Sequence, residues 1–334
     1  MASSHPAFEL VRDEKVAEIN SQAQLFRHKK TGAEVLSLVN EDENKVFGIT
    51  FKTPPEDSTG IAHILEHSVL CGSRKYPVKK PFVELLKGSM HTFLNAMTFP
   101  DKTAYPVASA NLKDFYNLVD VYLDAVFFPL LTEDTFEQEG WHYELESADA
   151  PLVYKGVVFN EMKGVFSSPD SVMHDQTQRA LYPDTTYGKS SGGDPKDIPA
   201  LTYEQFKRFH QKFYHPSNAR VVFAGDDAPE KRLAILDEVF SQFEAAPVDA
   251  EVKLQPRWNA PRQVSGTYAG PIDPEKRRDG MVSVNWMIDP PEGREETLSH
   301  GILSYLLAGN SAAPLRKKLT ESGIGEGMIG GGIS

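Results

Sequence analysis

The chain has 334 residues, 40% hydrophobic and 25% charged, a globular balance too long for one ordinary core, so two domains or one and a part are expected. Its net charge of −12 argues against a nucleic-acid binder, which calls for clustered Lys and Arg; it suits a basic peptide substrate, although many soluble proteins are simply acidic. The single Cys71 excludes an internal disulfide and fits a reducing compartment, no apolar run approaches the ~20 residues of a membrane span, and the first residues lack the Arg-rich pattern of a transit peptide.

Residues 23–28 and 33–39 read as a hairpin around Lys30-Thr31-Gly32, with Val46 to Thr53 as a third strand. A helix through His63 is expected after Pro54-Pro55, with Ser58 or Thr59 available as its cap. Residues 91–99 and 102–109 read as two strands joined at Pro100-Asp101. Leu112, Phe115, Tyr116, Val119, Tyr122, Leu123 and Val126 form the apolar stripe of an amphipathic helix whose role is core packing. Further helices are expected over about 133–146 and from about 154 into Val157 to Glu161. Thr202-x-x-Gln205 has the form of a capping box, opening a helix with Phe206, Phe209 and Phe213 inward, and Asn218 to Gly225 reads as a buried strand. The pattern is α+β, a mixed or antiparallel sheet packed with helices.

Residues 245–265 are rich in Pro, Ala and charge without periodicity. They divide the chain into a first domain over 1–250, a linker over 251–265 and a remainder over 266–334. In that remainder Val282, Val284, Trp286 and Ile288 alternate as a strand. A helix follows through Leu298, Ile302, Tyr305 and Leu306, then a second near 313–322. About 70 residues make half a domain, so the chain reads as a fragment ending inside its second domain.

The most informative stretch is His63-Ile64-Leu65-Glu66-His67, an H-x-x-E-H run in the inverted order of zinc-peptidase motifs. At roughly 100° per residue, histidines four apart share one helix face, where both imidazoles can reach a single ion. Glu66 falls on the same side and can reach a metal-bound water, which supplies two neutral nitrogen ligands and one proton acceptor. The same run also arises on a solvated helix in which Glu66 merely pairs with a histidine. Ile61, Ile64, Leu65 and Val69 argue that the helix is largely buried, and buried polar side chains need partners.

Four stretches carry a family resemblance: Pro54 to Pro77 (PPEDSTGIAHILEHSVLCGSRKYP), Pro81 to Pro106 (PFVELLKGSMHTFLNAMTFPDKTAYP), Gly156 to Gly164 (GVVFNEMKG) and Tyr214 to Arg220 (YHPSNAR). In order and without a large gap, they resemble the N-terminal part of the pitrilysin-type inverted-motif zinc metallopeptidases, in the presequence-protease branch that includes falcilysin. The resemblance implies a pitrilysin-type α+β domain followed by the start of a second homologous domain. It also implies a third zinc ligand at Glu161, completing His63 and His67 around one Zn²⁺ whose fourth position stays open for water. Glu66 would then be the general base.

The resemblance further implies a substrate-binding edge strand, carried over to Asn95 and Ala96, on which a peptide pairs as an extra strand. Leu70 and Phe82 match positions lining a hydrophobic pocket beside the cut bond, although core packing explains both nearly as well. Glu139 or Glu144 could orient a ligand histidine, and His142 reads as structural. The implied activity is cleavage of short unstructured peptides, including targeting presequences, in mitochondria or chloroplasts. The C-terminal half of such proteins closes the chamber around the substrate, so a chain without it need not be active alone. The competing readings are a non-catalytic peptide-binding or scaffold subunit and a zinc hydrolase of a non-peptide substrate. The complete set His63, Glu66, His67 and Glu161 disfavours the first, and the edge strand disfavours the second.

Overall fold

A computed structural model describes residues 5–79, 81–270, 280–288, 290 and 293–332. The chain forms two compact units, Met1–Ser283 and Val284–Ser334.

The first unit is built on strands β1 (Phe8–Val16), β2 (Ser21–His28), β3 (Glu34–Val39), β4 (Lys45–Lys52), β5 (His91–Leu94), β6 (Met97–Thr98) and β7 (Lys102–Ser109), a two-stranded ribbon of β8 (His142–Glu144) with β9 (Val153–Lys155), and β10 (Ala219–Gly225). The main sheet runs β1-β2-β3-β10-β4-β7-β5, with β6 also on β7. β10 lies parallel to β3 and antiparallel to β4, so the late strand inserts between two early ones and makes the sheet mixed. This is the α+β architecture expected from the sequence.

The helices are α1 (Ile61–Val69), α2 (Pro81–Gly88), α3 (Leu112–Phe127), α4 (Glu133–Glu139), α5 (Val157–Val165), α6 (Pro169–Leu181), α7 (Tyr203–Phe213) and α8 (Pro229–Phe240). Strand alternation puts Phe47, Ile49 and Phe51 of β4 into the core with Val35, Tyr105, Val107, Val221 and Phe223. Phe115, Val119, Tyr122, Leu123 and Val126 of α3 belong to the same core, as the helical stripe requires. Leu112, assigned to that stripe, is instead exposed at the first turn of α3, where Asn111 caps the helix through Lys113 N and Asp114 N. The capping box is present, with the Thr202 hydroxyl accepting from Gln205 N and the Gln205 side chain accepting from Thr202 N.

Several expectations need correction. Residues 91–99 are not one strand: pairing to β7 breaks at Asn95-Ala96, between β5 and β6. The helix expected over 133–146 stops at Glu139, and the one expected from 154 begins at Val157, because β8 and β9 pair between them. The close approach behind this turn requires glycine: a Cβ on Gly156, which has φ +148°, would lie 2.1 Å from the Gly140 carbonyl oxygen. The cap of α1 is neither Ser58 nor Thr59 but Gly60.

β1, α2, α6 and α8 were not anticipated. β1 hides its strand character because it is a charged edge strand, a usual safeguard against unwanted pairing. Within the second unit α9 (Arg294–Ala308) packs with α10 (Pro314–Glu321). Val282, Val284, Trp286 and Ile288 are exposed and form no strand, since alternation makes a strand only where a partner offers backbone hydrogen bonds. Between Phe240 and Arg294 no helix or strand occurs among the described residues. Among the described residues, no helix is long and apolar enough to cross a membrane.

Candidate metal centre

α1 is buried on nearly every side: Ile61, Ala62, Ile64, Leu65, Ser68 and Val69 sit in the interior, against α4, α7 and β6. Its start needs glycine, because Gly60 has φ +72° and a Cβ there would lie 2.8 Å from the Gly192 carbonyl oxygen. His63 and Glu66 are also buried, and His67 is half-buried. On α5, Val158, Phe159 and Met162 anchor the helix in the core, while the carboxylate of Glu161 stays half exposed.

These two helices bring His63, His67 and Glu161 together. Glu161 Oε2 lies 3.7 Å from His63 Nε2 and 3.8 Å from His67 Nε2. One ligand atom from each of the three residues lies within 4.8 Å of the others. A tetrahedral zinc with bonds of about 2.1 Å sets its ligand atoms about 3.4 Å apart, so the two carboxylate distances are already near that spacing.

The second nitrogen of each histidine is also engaged. His63 Nδ1 lies 3.0 Å from the Gly192 carbonyl oxygen. A carbonyl can only accept, so Nδ1 carries the proton and Nε2 keeps its lone pair toward Glu161. His67 Nδ1 lies 3.4 Å from Glu139 Oε2, and Glu139 is buried. This separates the two carboxylates left open by the sequence. Glu139 stands against His67, whereas Glu144 pairs at the surface with His142 and Lys155. The His142 ring bonds the Glu137 carbonyl at 2.9 Å and has no place in the cluster.

The electrostatics favour a cation. Burial pushes the His67 pKa down, but the hydrogen bond to Glu139 and the charges of Glu66, Glu139 and Glu161 outweigh it, and the net direction is up. Glu66 accepts at its Oε2 from the Thr98 hydroxyl, at 2.7 Å.

An open cleft of about 560 Å³ lies over this group. Its lining includes His63, Glu66, His67 and Glu161, and the consecutive residues Asn95 to Phe99. Asn95 and Ala96 therefore border the same space as the histidines. Leu70 and Phe82 do not line it: Leu70 ends α1 in the core, and Phe82 of α2 packs half-buried against that core. Thr98 and Gly192 were missed, because no local spacing marks a residue that meets α1 only through the fold.

Residues 53–164 match the model of insulinase, peptidase family M16, a span that contains all four candidate residues. Residues 200–334 match the model of the peptidase M16 inactive domain. The chain belongs to peptidase family M16.

It is 58% identical to presequence protease 1, chloroplastic/mitochondrial, of Arabidopsis thaliana, covering 98% of this chain and 31% of that protein. It is 48% identical to protein HypA of Clostridium perfringens, over 98% of this chain and 34% of that one. The mitochondrial presequence protease of Mus musculus is 45% identical over 93% of this chain and 30% of its own length. The chain thus spans about a third of the length of these relatives. The crystal structure of pitrilysin superposes with a TM-score of 0.59 at 21% identity, covering 74% of this chain and 26% of that one, a likeness of fold.

Proposed function

We propose that this chain carries the catalytic centre of a zinc metalloendopeptidase that degrades short unstructured peptides such as cleaved targeting presequences. The observation that carries the reading is the meeting of His63, His67 and Glu161 beside Glu66, at the floor of an open cleft. The donor set suits zinc: two neutral imidazoles with their outer nitrogens engaged, and one carboxylate, leave a coordination position free.

His63, His67 and Glu161 would hold the ion, which when bound makes water more acidic and polarises a carbonyl. Glu66 takes the proton of the attacking water and passes it to the departing amine nitrogen. Asn95 and Ala96, at the interrupted margin of the sheet, border the cleft where an extended peptide would add alongside the strand, a mode that holds substrates of varied sequence. Leu70 and Phe82 would act only through the packing behind the site.

We divide the chain into a catalytic domain over 1–250, a linker over 251–265 and the start of a second homologous domain from 266. The relatives' greater length supports a need for the C-terminal remainder to close the chamber, with the mitochondrial matrix or chloroplast stroma as the compartment. The test is Glu66→Gln in the whole protein. Peptide hydrolysis is expected to fall by about 10²–10⁴-fold with zinc content retained. Normal hydrolysis with normal zinc would sink the mechanism.

A further inference from the structure

Glu66 is a long side chain with three rotatable bonds, and its use as a base depends on where its carboxylate is held. Among the described residues, Thr98 is the one side chain that donates a hydrogen bond to it, at 2.7 Å on Oε2. That length is an ordinary one for a hydroxyl donating to a carboxyl oxygen.

The hydroxyl is itself mounted rigidly. Thr98 sits in β6 opposite Thr103 of β7, and the Phe99 amide donates to the Lys102 carbonyl at 2.8 Å in the turn that follows. Thr103 is buried and shares a 2.7 Å hydroxyl contact with Thr53, which ties β7 to the end of β4. Just before β6, the Asn95 amide donates to the Pro106 carbonyl, and the Tyr122 hydroxyl donates to the Asn95 carbonyl from α3. A β-branched threonine on such a strand has little freedom about χ1. Among the described residues β6 pairs only with β7, so the segment is also the margin of the sheet facing the cleft.

We propose that Thr98 is a positioning residue that locks the Glu66 carboxylate to the strand on which the substrate is aligned. One oxygen of Glu66 is tied to Thr98, which leaves the other for proton transfer. The base and the peptide-pairing segment Asn95-Ala96 then share one rigid frame, so a peptide paired at that margin is held in a fixed relation to the group that moves its proton. This inference rests on the proposed role of Glu66 as base.

The experiment compares Thr98→Val, Thr98→Ala and Thr98→Ser with Glu66→Gln in the whole protein, using an unstructured peptide substrate and zinc analysis. Val keeps the shape of threonine and removes the donor; Ala serves if Val disturbs folding, judged by thermal unfolding. For Val or Ala, kcat is expected to fall about 10–100-fold, with KM within about 2-fold and zinc content unchanged. Ser, which restores the hydroxyl, is expected to return kcat to within about 3-fold of wild type. A wild-type kcat in both Val and Ala, a loss carried entirely by KM, or a Ser variant as impaired as Val would overturn the proposal. If Glu66→Gln is inactive while Thr98→Val is normal, only the role of Thr98 fails. If Glu66→Gln remains active, the reading of Glu66 as base fails and takes this inference with it.

Discussion

Two clusters of charged side chains in the first unit are built on opposite terms. Around Arg232 the charges balance and every direction is used. The fully buried guanidinium bonds both oxygens of Asp227, at 2.5 and 3.1 Å, and also the Ser37 hydroxyl and the carbonyls of Leu38 and Gly225. The Tyr116 hydroxyl adds a 2.6 Å bond to Asp227. Around His67, three carboxylates, Glu66, Glu139 and Glu161, face two imidazoles, and none of the described residues lining the cleft is Lys or Arg. The first cluster completes its own charge and joins α8 to β3 and β10. The second concentrates negative charge at a solvent-open floor, the arrangement expected of a group that receives a cation.

The largest test of this contrast is stability. Removing Asp227 strands a buried guanidinium, and Asp227→Ala is expected to cost about 3–5 kcal/mol in denaturant unfolding. The paired change Glu161→Ala, at a half-exposed position of the other cluster, is expected to stay within about 0.5 kcal/mol in the metal-free protein. Equal losses from the two variants would erase the distinction.

Two histidines sharpen the comparison. His210 is buried away from the cleft, stacks on Tyr214 and donates from Nε2 to the Val126 carbonyl at 2.8 Å. Burial pulls its pKa down from 6.5 to about 4, although the bond to Val126 acts the other way. The unfolded chain therefore takes up this proton first as pH falls. The contribution of His210 is intact above about pH 6.5, weakens by about 3 kcal/mol in total toward pH 4 and levels off below that. Unfolding measured across this range, in wild type and His210→Gln, reads the difference. His67 moves in the opposite direction, so in metal-free protein its ring resonances are expected to titrate above 6.5 while those of His210 titrate well below. A common midpoint for the two rings would show that the field at the cleft does not differ from that in the uncharged core around His210.

The smallest expected effect is at Glu139. Glu139→Gln keeps the shape but removes the charge behind His67, and zinc affinity in a chelator competition is expected to drop about 10–100-fold. Unchanged affinity would place Glu139 outside the working site.

Much of this contrast lay beyond the reach of local pattern. The Arg232 network joins residues near 37, 116 and 227, and nothing in the periodicity of α8 distinguishes Arg232 from a solvent-facing arginine. The choice between Glu139 and Glu144 was likewise closed to sequence. The two are five positions apart, and only the ending of α4 and the pairing of β8 with β9 send one inward and the other to the surface. Helix length misled there because the periodicity on either side of Gly140 continues, while the backbone contact with Gly156 ends the helix. The alternation through Val282 to Ile288 misled for the converse reason, since a strand pattern was present without a strand to pair with.

By itself the sequence determined what depends on neighbours a few positions apart. His63, Glu66 and His67 share a face because a helix turns by a fixed angle per residue, the stripe of α3 follows the same geometry, and Thr202 with Gln205 closes its own helix end. Family resemblance, and not spacing, supplied Glu161 and the Asn95-Ala96 segment. Tertiary structure alone decided which groups meet across the fold: the Gly192 carbonyl on His63, Glu139 on His67 and the Thr98 hydroxyl on Glu66. Those contacts follow from how the buried sides of α1, α4, α5 and β6 pack, and packing is a property of the whole core that no short window contains.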